Sequence, residues 1–224
     1  MIALDGTSGV GKSTTAKRLA EVLNLYFLST GRIYRAMGWL ALKKGWDIET
    51  PPLSDWFEGF DIHVRGGGDI VVNGETPDMD LGSELISRTA SVISTVPFVR
   101  DMSNRIQRQI VENIRNEKSF DGVILEGRDI ATVVFPDATH KFFITASPMV
   151  RARRRYEELR QKDPSVTLEA IAQGIEERDQ RDQTRDIAPL KPADDAVMVD
   201  TSEMGLEAVV EKILMEVKGR AASG

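Results

Sequence analysis

Short apolar runs alternate with amphipathic stretches along this chain. Ile2-Ala3-Leu4 is an apolar triplet ending in Asp5-Gly6, the pattern of a buried strand in a parallel sheet. From Lys12 onward apolar residues recur at helical spacing, at Ala16, Leu19, Ala20 and Leu23. Tyr26-Phe27-Leu28 predicts a second strand, and Ile33 to Lys43 a second helix closed by Gly45. The texture changes near Pro51. Ile62 to Arg65, Gly66-Gly67-Gly68-Asp69 and Ile70-Val71-Val72 read as strand, turn and strand, and Asn73-Gly74 offers a further tight turn. Helical spacing returns from Glu84 to Val92 and from Phe98 to Arg115, where Met102, Ile106, Ile110 and Ile114 form one stripe. Val123-Ile124-Leu125 and Phe142-Phe143-Ile144 predict two more strands. Val150 to Lys162 and Leu168 to Arg181 predict helices on either side of Pro164. Ala196 to Val199 and Leu206 to Val217 predict a last strand and helix, with a frayed tail from Gly219. The alternation predicts an α/β fold, a parallel sheet with helices on both faces and a small antiparallel insert.

Composition narrows the classes open to such a fold. The 224 residues suffice for one core with an insertion or small appendages. The formal net charge of −6 argues against generic nucleic-acid binding, which needs a basic field. Cysteine is absent and histidine occurs only at His63 and His140, so thiolate and multi-histidine metal sites are excluded. No apolar run approaches membrane-spanning length, and the N-terminus lacks a basic segment with an apolar region and cleavage site. A cytoplasmic protein is expected.

The chemistry starts between the first strand and the first helix. Gly6-Thr7-Ser8-Gly9-Val10-Gly11-Lys12-Ser13 matches G-x-x-x-x-G-K-[ST] in full and in the right context. Its glycines let backbone amides curl toward phosphate oxygens, and the helix N-terminus adds positive potential. Lys12 would bridge the outer phosphates of a nucleotide and the Ser13 hydroxyl would bind Mg²⁺. Thr14 follows in the same stretch. An Asn-Lys-x-Asp segment, the usual guanine reader, is missing.

Other charged clusters sit at strand ends, where parallel α/β sheets bind ligands. Ser29-Thr30-Gly31-Arg32-Ile33-Tyr34-Arg35 follows the second strand; Tyr34 and Arg35 could pack a sugar and grip an anion, or decorate a helix surface. Glu126-Gly127-Arg128-Asp129 follows the third strand, either as an anion reader or as a structural ion pair. Arg151-Ala152-Arg153-Arg154-Arg155 is dense in guanidinium for an acidic protein. In ERDQRDQTRD, Glu177 to Asp186, helical spacing puts Arg178, Arg181, Asp182 and Arg185 on one face. Three guanidiniums there could bind phosphate while the carboxylate accepts from ribose hydroxyls; a solvated helix face is the competing reading.

Taken together, DGTSGVGKST, STGRIYRA, ASVIST with VPFVR, EGRDIATVVFPDA, RARRR and ERDQRDQTRDIAPLKPADDA resemble the bacterial cytidylate kinases, nucleoside monophosphate kinases of the phosphate-loop class. The resemblance runs in order along essentially the whole chain. It implies a five-stranded parallel core, a monophosphate-binding domain and a short lid. The divisions it suggests are core at 1–30, monophosphate-binding domain with the hairpin insert at 31–117, core at 118–152, lid and flanking helices at 153–180, and core at 181–224. It implies transfer of the ATP γ-phosphoryl group to CMP or dCMP, with Mg²⁺, by a monomer with small-molecule partners. By position, Ser91, Arg100 and Asp129 would read the cytosine. Arg35, Arg128 and Arg185 would hold the acceptor phosphate. Arg178 and Asp182 would contact the ribose, with Thr30 and Tyr34 nearby. Arg154, Arg155 and Arg181 would face the transferring group.

Three positions depart from the family pattern. Ser29 stands where aspartate is usual, Glu126 where a shorter aspartate is usual, and Arg32 where a small residue is usual. A kinase for another acceptor, such as UMP, dTMP or a small alcohol, is the nearest rival. A nucleotide-dependent switch is a more distant one.

Overall fold

In the computed structural model, residues 1–48, 50–64, 70–77, 80–161 and 163–221 are described. Seven strands and seven α-helices follow one another along these residues: β1 (Ile2–Gly6), α1 (Lys12–Val22), β2 (Leu25–Ser29), α2 (Thr30–Lys43), β3 (Ile62–Val64), β4 (Ile70–Val72), α3 (Glu84–Ile93), α4 (Pro97–Glu117), β5 (Gly122–Gly127), β6 (His140–Thr145), α5 (Pro148–Leu159), α6 (Leu168–Thr184), β7 (Val197–Asp200) and α7 (Leu206–Ala221). Five strands form one sheet in the order β2-β5-β1-β6-β7. The β1 strand runs parallel to β5 and to β6, and β6 parallel to β7. The expected α/β architecture is present.

Alternation along the strands explains why both sheet faces carry helices. Ile2 and Leu4 point to one side with Ile124, Phe142 and Ile144, where Ala16 and Leu19 of α1 and Val209, Val210 and Ile213 of α7 cover them. Ala3, Val123 and Leu125 point to the other side, against Val111 of α4, with Ile110 and Ile114 packed alongside. The central strands are thus apolar on both faces, as the uninterrupted triplets predict.

The chain divides into two compact units, Met1–Leu28 with Ile110–Gly224, and Ser29–Gln109. Residues 110–117 lie in the unit that holds the sheet because Ile110, Val111 and Ile114 pack against it, so the boundary falls inside α4 rather than after it. In the smaller unit, α2 buries Ile33, Met37 and Leu40 and packs against α3. The β3–β4 pair is antiparallel, with His63 opposite Val71. Asn73 and Gly74 both hold positive φ, 50° and 82°, and close a two-residue turn between Val72 and Glu75. The sequence-predicted turn at Gly66 to Asp69, and Arg65, lie outside the described residues.

The last helix continues through Ala221 instead of fraying at Gly219. Helix α6 runs on past Arg181 to Thr184 and stops there, with Arg185 as its extended C-cap at φ −63°, ψ 140°. Among the described residues no helix is long and apolar enough to cross a membrane.

Candidate active site

The larger unit carries the phosphate loop. Gly6 ends β1 at φ 150°, and a Cβ there would lie 2.0 Å from the Ile144 carbonyl oxygen, so only glycine lets β1 pass the end of β6. Helix α1 starts at Lys12 after Gly11, with no side-chain cap and no acidic residue in its first turn. Its first amides are therefore left to a ligand, and its dipole favours an anion. The Lys12 ammonium is buried and donates to the Thr7 carbonyl oxygen at 2.6 Å. Burial pushes it well below its ordinary value, and nearby Arg128 adds to that, against the opposing pull of Glu126.

One strand over, Glu126 leaves β5 beside Leu4 of β1 and accepts from the Ser13 hydroxyl at 2.7 Å. A hydroxyl and a carboxylate oxygen side by side fit a hard divalent cation. Glu126 is legible in the sequence as part of a strand-end charged cluster and as a departure from the family pattern; its contact with Ser13 places it at the loop.

Beyond β5, Asp182 of α6 gathers three guanidiniums. Arg128 Nε donates to Asp182 Oδ2 at 2.9 Å; Arg185 NH1 stands 3.9 Å from Oδ1 and Arg178 Nε 4.0 Å from Oδ2. Arg185 NH2 also lies 3.6 Å from Asp129 Oδ1. Burial alone would raise the Asp182 carboxyl, but Arg128, Arg178 and Arg185 outweigh it and hold it below the usual carboxylate range. Arg128, which burial would lower, is instead raised, chiefly by Asp182. Of the four residues that helical spacing groups, Arg178, Asp182 and Arg185 come together, and the third guanidinium is that of Arg128 from the end of β5. Arg185 reaches Asp182 from the cap, with its Nε donating to the Ala188 carbonyl oxygen at 2.7 Å. Arg181, half-buried, is the remaining arginine of that stretch.

The arginines of α5 turn different ways. Arg154 donates to the Thr201 hydroxyl at 3.0 Å and to the carbonyl oxygens of Thr201 at 2.7 Å and Met204 at 3.3 Å, fastening α5 to the loop after β7. Arg155 pairs with Glu158 on its own helix at 3.2 Å. Neither side chain bonds to the phosphate loop in these contacts.

In the smaller unit, Arg100 is 2% exposed and donates to the Ser94 carbonyl oxygen at 3.0 Å. Its guanidinium lies 5.8 Å from the centre of the Tyr34 ring, within cation–π range. Thr30 and Ser91 are buried, while Arg35 and Arg32 are half-buried. Burying these polar groups is costly and calls for partners.

Asp5, which sequence reasoning passed over, links the phosphate loop to the Arg128-Asp129 segment. Its two carboxylate oxygens accept from the amides of Ile130 at 2.9 Å and Ala131 at 2.8 Å, at the start of a π-helical turn, Ile130–Val134. Desolvation outweighs those bonds and raises the Asp5 carboxyl from 3.8 to about 6. A carboxyl raised on folding adds stability below about pH 4 that is lost as pH climbs through about 6; the shift is worth about 3 kcal/mol. Carboxyl-carbon NMR is expected to show an Asp5 midpoint near 6. A midpoint at the ordinary value would mean that the two amides win over burial.

The family model described as cytidylate kinase matches residues 2–219. A cytidylate kinase of Fervidobacterium nodosum is 42% identical over 219 residues, covering 98% of this chain and 96% of that protein. One of Nitratidesulfovibrio vulgaris is 36% identical over 223 residues, covering 98% and 93%. Among solved structures, an uncharacterized protein from Eubacterium ventriosum shares the fold at a TM-score of 0.50 and 13% identity, over 97% of each chain. The chain belongs to the cytidylate kinase family.

Proposed function

We propose that this enzyme transfers the γ-phosphoryl group of ATP to CMP or dCMP, giving ADP and CDP or dCDP. The observation that carries the reading is the pairing, in one compact unit, of a phosphate loop with a buried lysine and an aspartate that collects three arginines. Two polyanions must be brought together, and the two clusters supply one cationic cradle for each.

The acceptor atom is a phosphate oxygen, already ionised at neutral pH, so the chemistry needs no strong base. Lys12 and the loop amides hold the ATP phosphates. Ser13 and Glu126 are the residues that would hold Mg²⁺, which when bound neutralises charge on the phosphates. Arg128 and Arg185, with Arg35, hold the CMP phosphate. Asp182 and Arg178 meet the ribose, near Thr30 and Tyr34. Ser91, Arg100 and Asp129 read the base; a carboxylate accepts from the cytosine N4 amino group and repels the carbonyl that uracil carries there. Arg181 faces the transferring group. For Arg154 the hydrogen bonds to Thr201 and Met204 favour a role in shaping the loop after β7. The protein acts as a cytoplasmic monomer, a reading supported by the family resemblance.

The test is a panel of acceptors with ATP and Mg²⁺. CMP and dCMP are expected to be phosphorylated with kcat/KM at least about 100-fold above UMP and dTMP, the discrimination given by one or two base-edge hydrogen bonds. Equal use of UMP would overturn the base-reading assignment. ATP hydrolysis indifferent to every acceptor would favour a switch protein instead.

A further inference from the structure

Arg151 and Asp179 have no role in the assignments above, yet they grip the phosphate loop directly. Asp179 Oδ1 accepts from the Ser8 amide at 3.1 Å. Its other oxygen pairs with Arg151 NH1, and that same NH1 donates to the Ser8 carbonyl oxygen at 3.1 Å. Arg151 Nε donates to the Ala146 carbonyl oxygen, also at 3.1 Å. Both polar groups of the Ser8 peptide pair are thus held by one ion pair, whose side chains are 7% and 10% exposed. The loop passes so close that a Cβ at Gly9 would stand 3.3 Å from both Arg151 Cβ and the Arg151 carbonyl oxygen.

This arrangement is more than generic ion pairing. A buried pair is weak evidence of stability, because desolvation offsets most of the attraction. What this pair adds is geometry. A planar guanidinium and a carboxylate fix directions as well as distances. They fix them on the third residue of an eight-residue cradle, just before the glycines that turn its amides inward. Asp179 is an anion beside a site for polyanions, and Arg151 cancels that charge locally. The pair also joins α5 to α6, the two helices that flank the 160–167 connection.

From this geometry we infer that Asp179 and Arg151 are positioning residues for the donor nucleotide, acting through Ser8 to preset the phosphate loop. The inference rests on the reading that this loop holds ATP. It predicts a one-sided defect. Asp179→Ala removes the acceptor for the Ser8 amide and is expected to raise the KM for ATP about tenfold or more, leaving the KM for CMP within about twofold. Asp179→Asn keeps an oxygen in place and is expected to restore the KM for ATP to within about threefold of wild type. Arg151→Lys keeps the charge but loses the fork, and is expected to raise the KM for ATP several-fold.

The measurements are steady-state kinetics with each substrate varied in turn, alongside melting temperatures. A change that is merely structural would move both Michaelis constants, or only the melting temperature. Parallel rises in the two constants, or an unchanged KM for ATP in a folded Asp179→Ala enzyme, would overturn the inference. Should Asp179→Ala not fold, Arg151→Lys decides: a wild-type KM for ATP there refutes it. Wild-type turnover of CMP with ATP is the control. Its absence would strike at the proposed function, whereas its presence with unaffected variants would strike only at the Ser8 clamp.

Discussion

Replacing Lys12 with methionine is expected to cut turnover by about 10²–10³-fold or more while leaving the melting temperature at or above that of wild type. The two halves of that expectation share a cause. The ammonium is 5% exposed and donates to the Thr7 carbonyl oxygen. Burial, then Arg128, pull its proton affinity well down, so the folded protein carries an unfavourable charge at this point. Methionine has a similar length and no charge to desolvate, so stability has little to lose. What is lost is the cation that would meet charge developing on the transferring group, an interaction strongest in the transition state. Turnover should therefore fall further than ATP affinity. The checks are kcat, the KM for ATP and a thermal melt on the same preparation. A variant with wild-type kcat would remove Lys12 from the chemistry. One that lost activity only because it failed to fold would contradict the reading of Lys12 as a buried charge kept for function.

How far the sequence exposes this site depends on how local each interaction is. The phosphate loop is legible because its geometry lies within eight consecutive residues and depends on glycine. The apolar triplets are legible as central strands because both faces of β1, β5 and β6 are covered. The Asp182 set is half legible: Arg178 and Asp182 follow helical spacing, but Arg185 arrives from a non-helical cap that periodicity cannot foresee. Asp5 is illegible because its partners are backbone amides 125 and 126 residues away, and amides leave no trace in side-chain patterning. Asp179 sits among carboxylates and guanidiniums of the same kind, and nothing in ERDQRDQTRD says which aspartate turns toward Ser8. The direction of Arg154, toward Thr201 rather than the phosphate loop, depends on partners 47 residues away and is equally silent. In each case the residue type was visible while its partner was not.

Asp182→Ala is expected to lower stability by about 3–5 kcal/mol, the range for removing one member of a buried ion pair. For a chain of this length that corresponds to a fall in melting temperature on the order of 10 °C. Asp182 is 4% exposed on its side chain, and Arg128 and Arg185 are 18% and 4% exposed. Alanine would leave these guanidiniums, and that of Arg178, facing one another without the Asp182 charge, with Asp129 still beside Arg185. The wild-type carboxyl is held below its usual range, so its contribution is present above about pH 4 and is lost as pH falls through the folded value. The variant should lack that portion of acid sensitivity. A bound phosphate would supply the missing negative charge, so CMP should raise the melting temperature of the variant by more degrees than it raises wild type at equal site occupancy. The KM for CMP should still increase, by about tenfold, because the arginines no longer hold their directions and the ribose loses an acceptor. Thermal melts with and without saturating CMP, run at several pH values, separate these effects. If Asp182→Ala melts like wild type and uses CMP like wild type, the three-arginine cluster is surface charge and the acceptor phosphate binds elsewhere. A destabilised variant with no extra response to CMP would keep Asp182 as a structural counter-ion and remove Arg128 and Arg185 from the acceptor site.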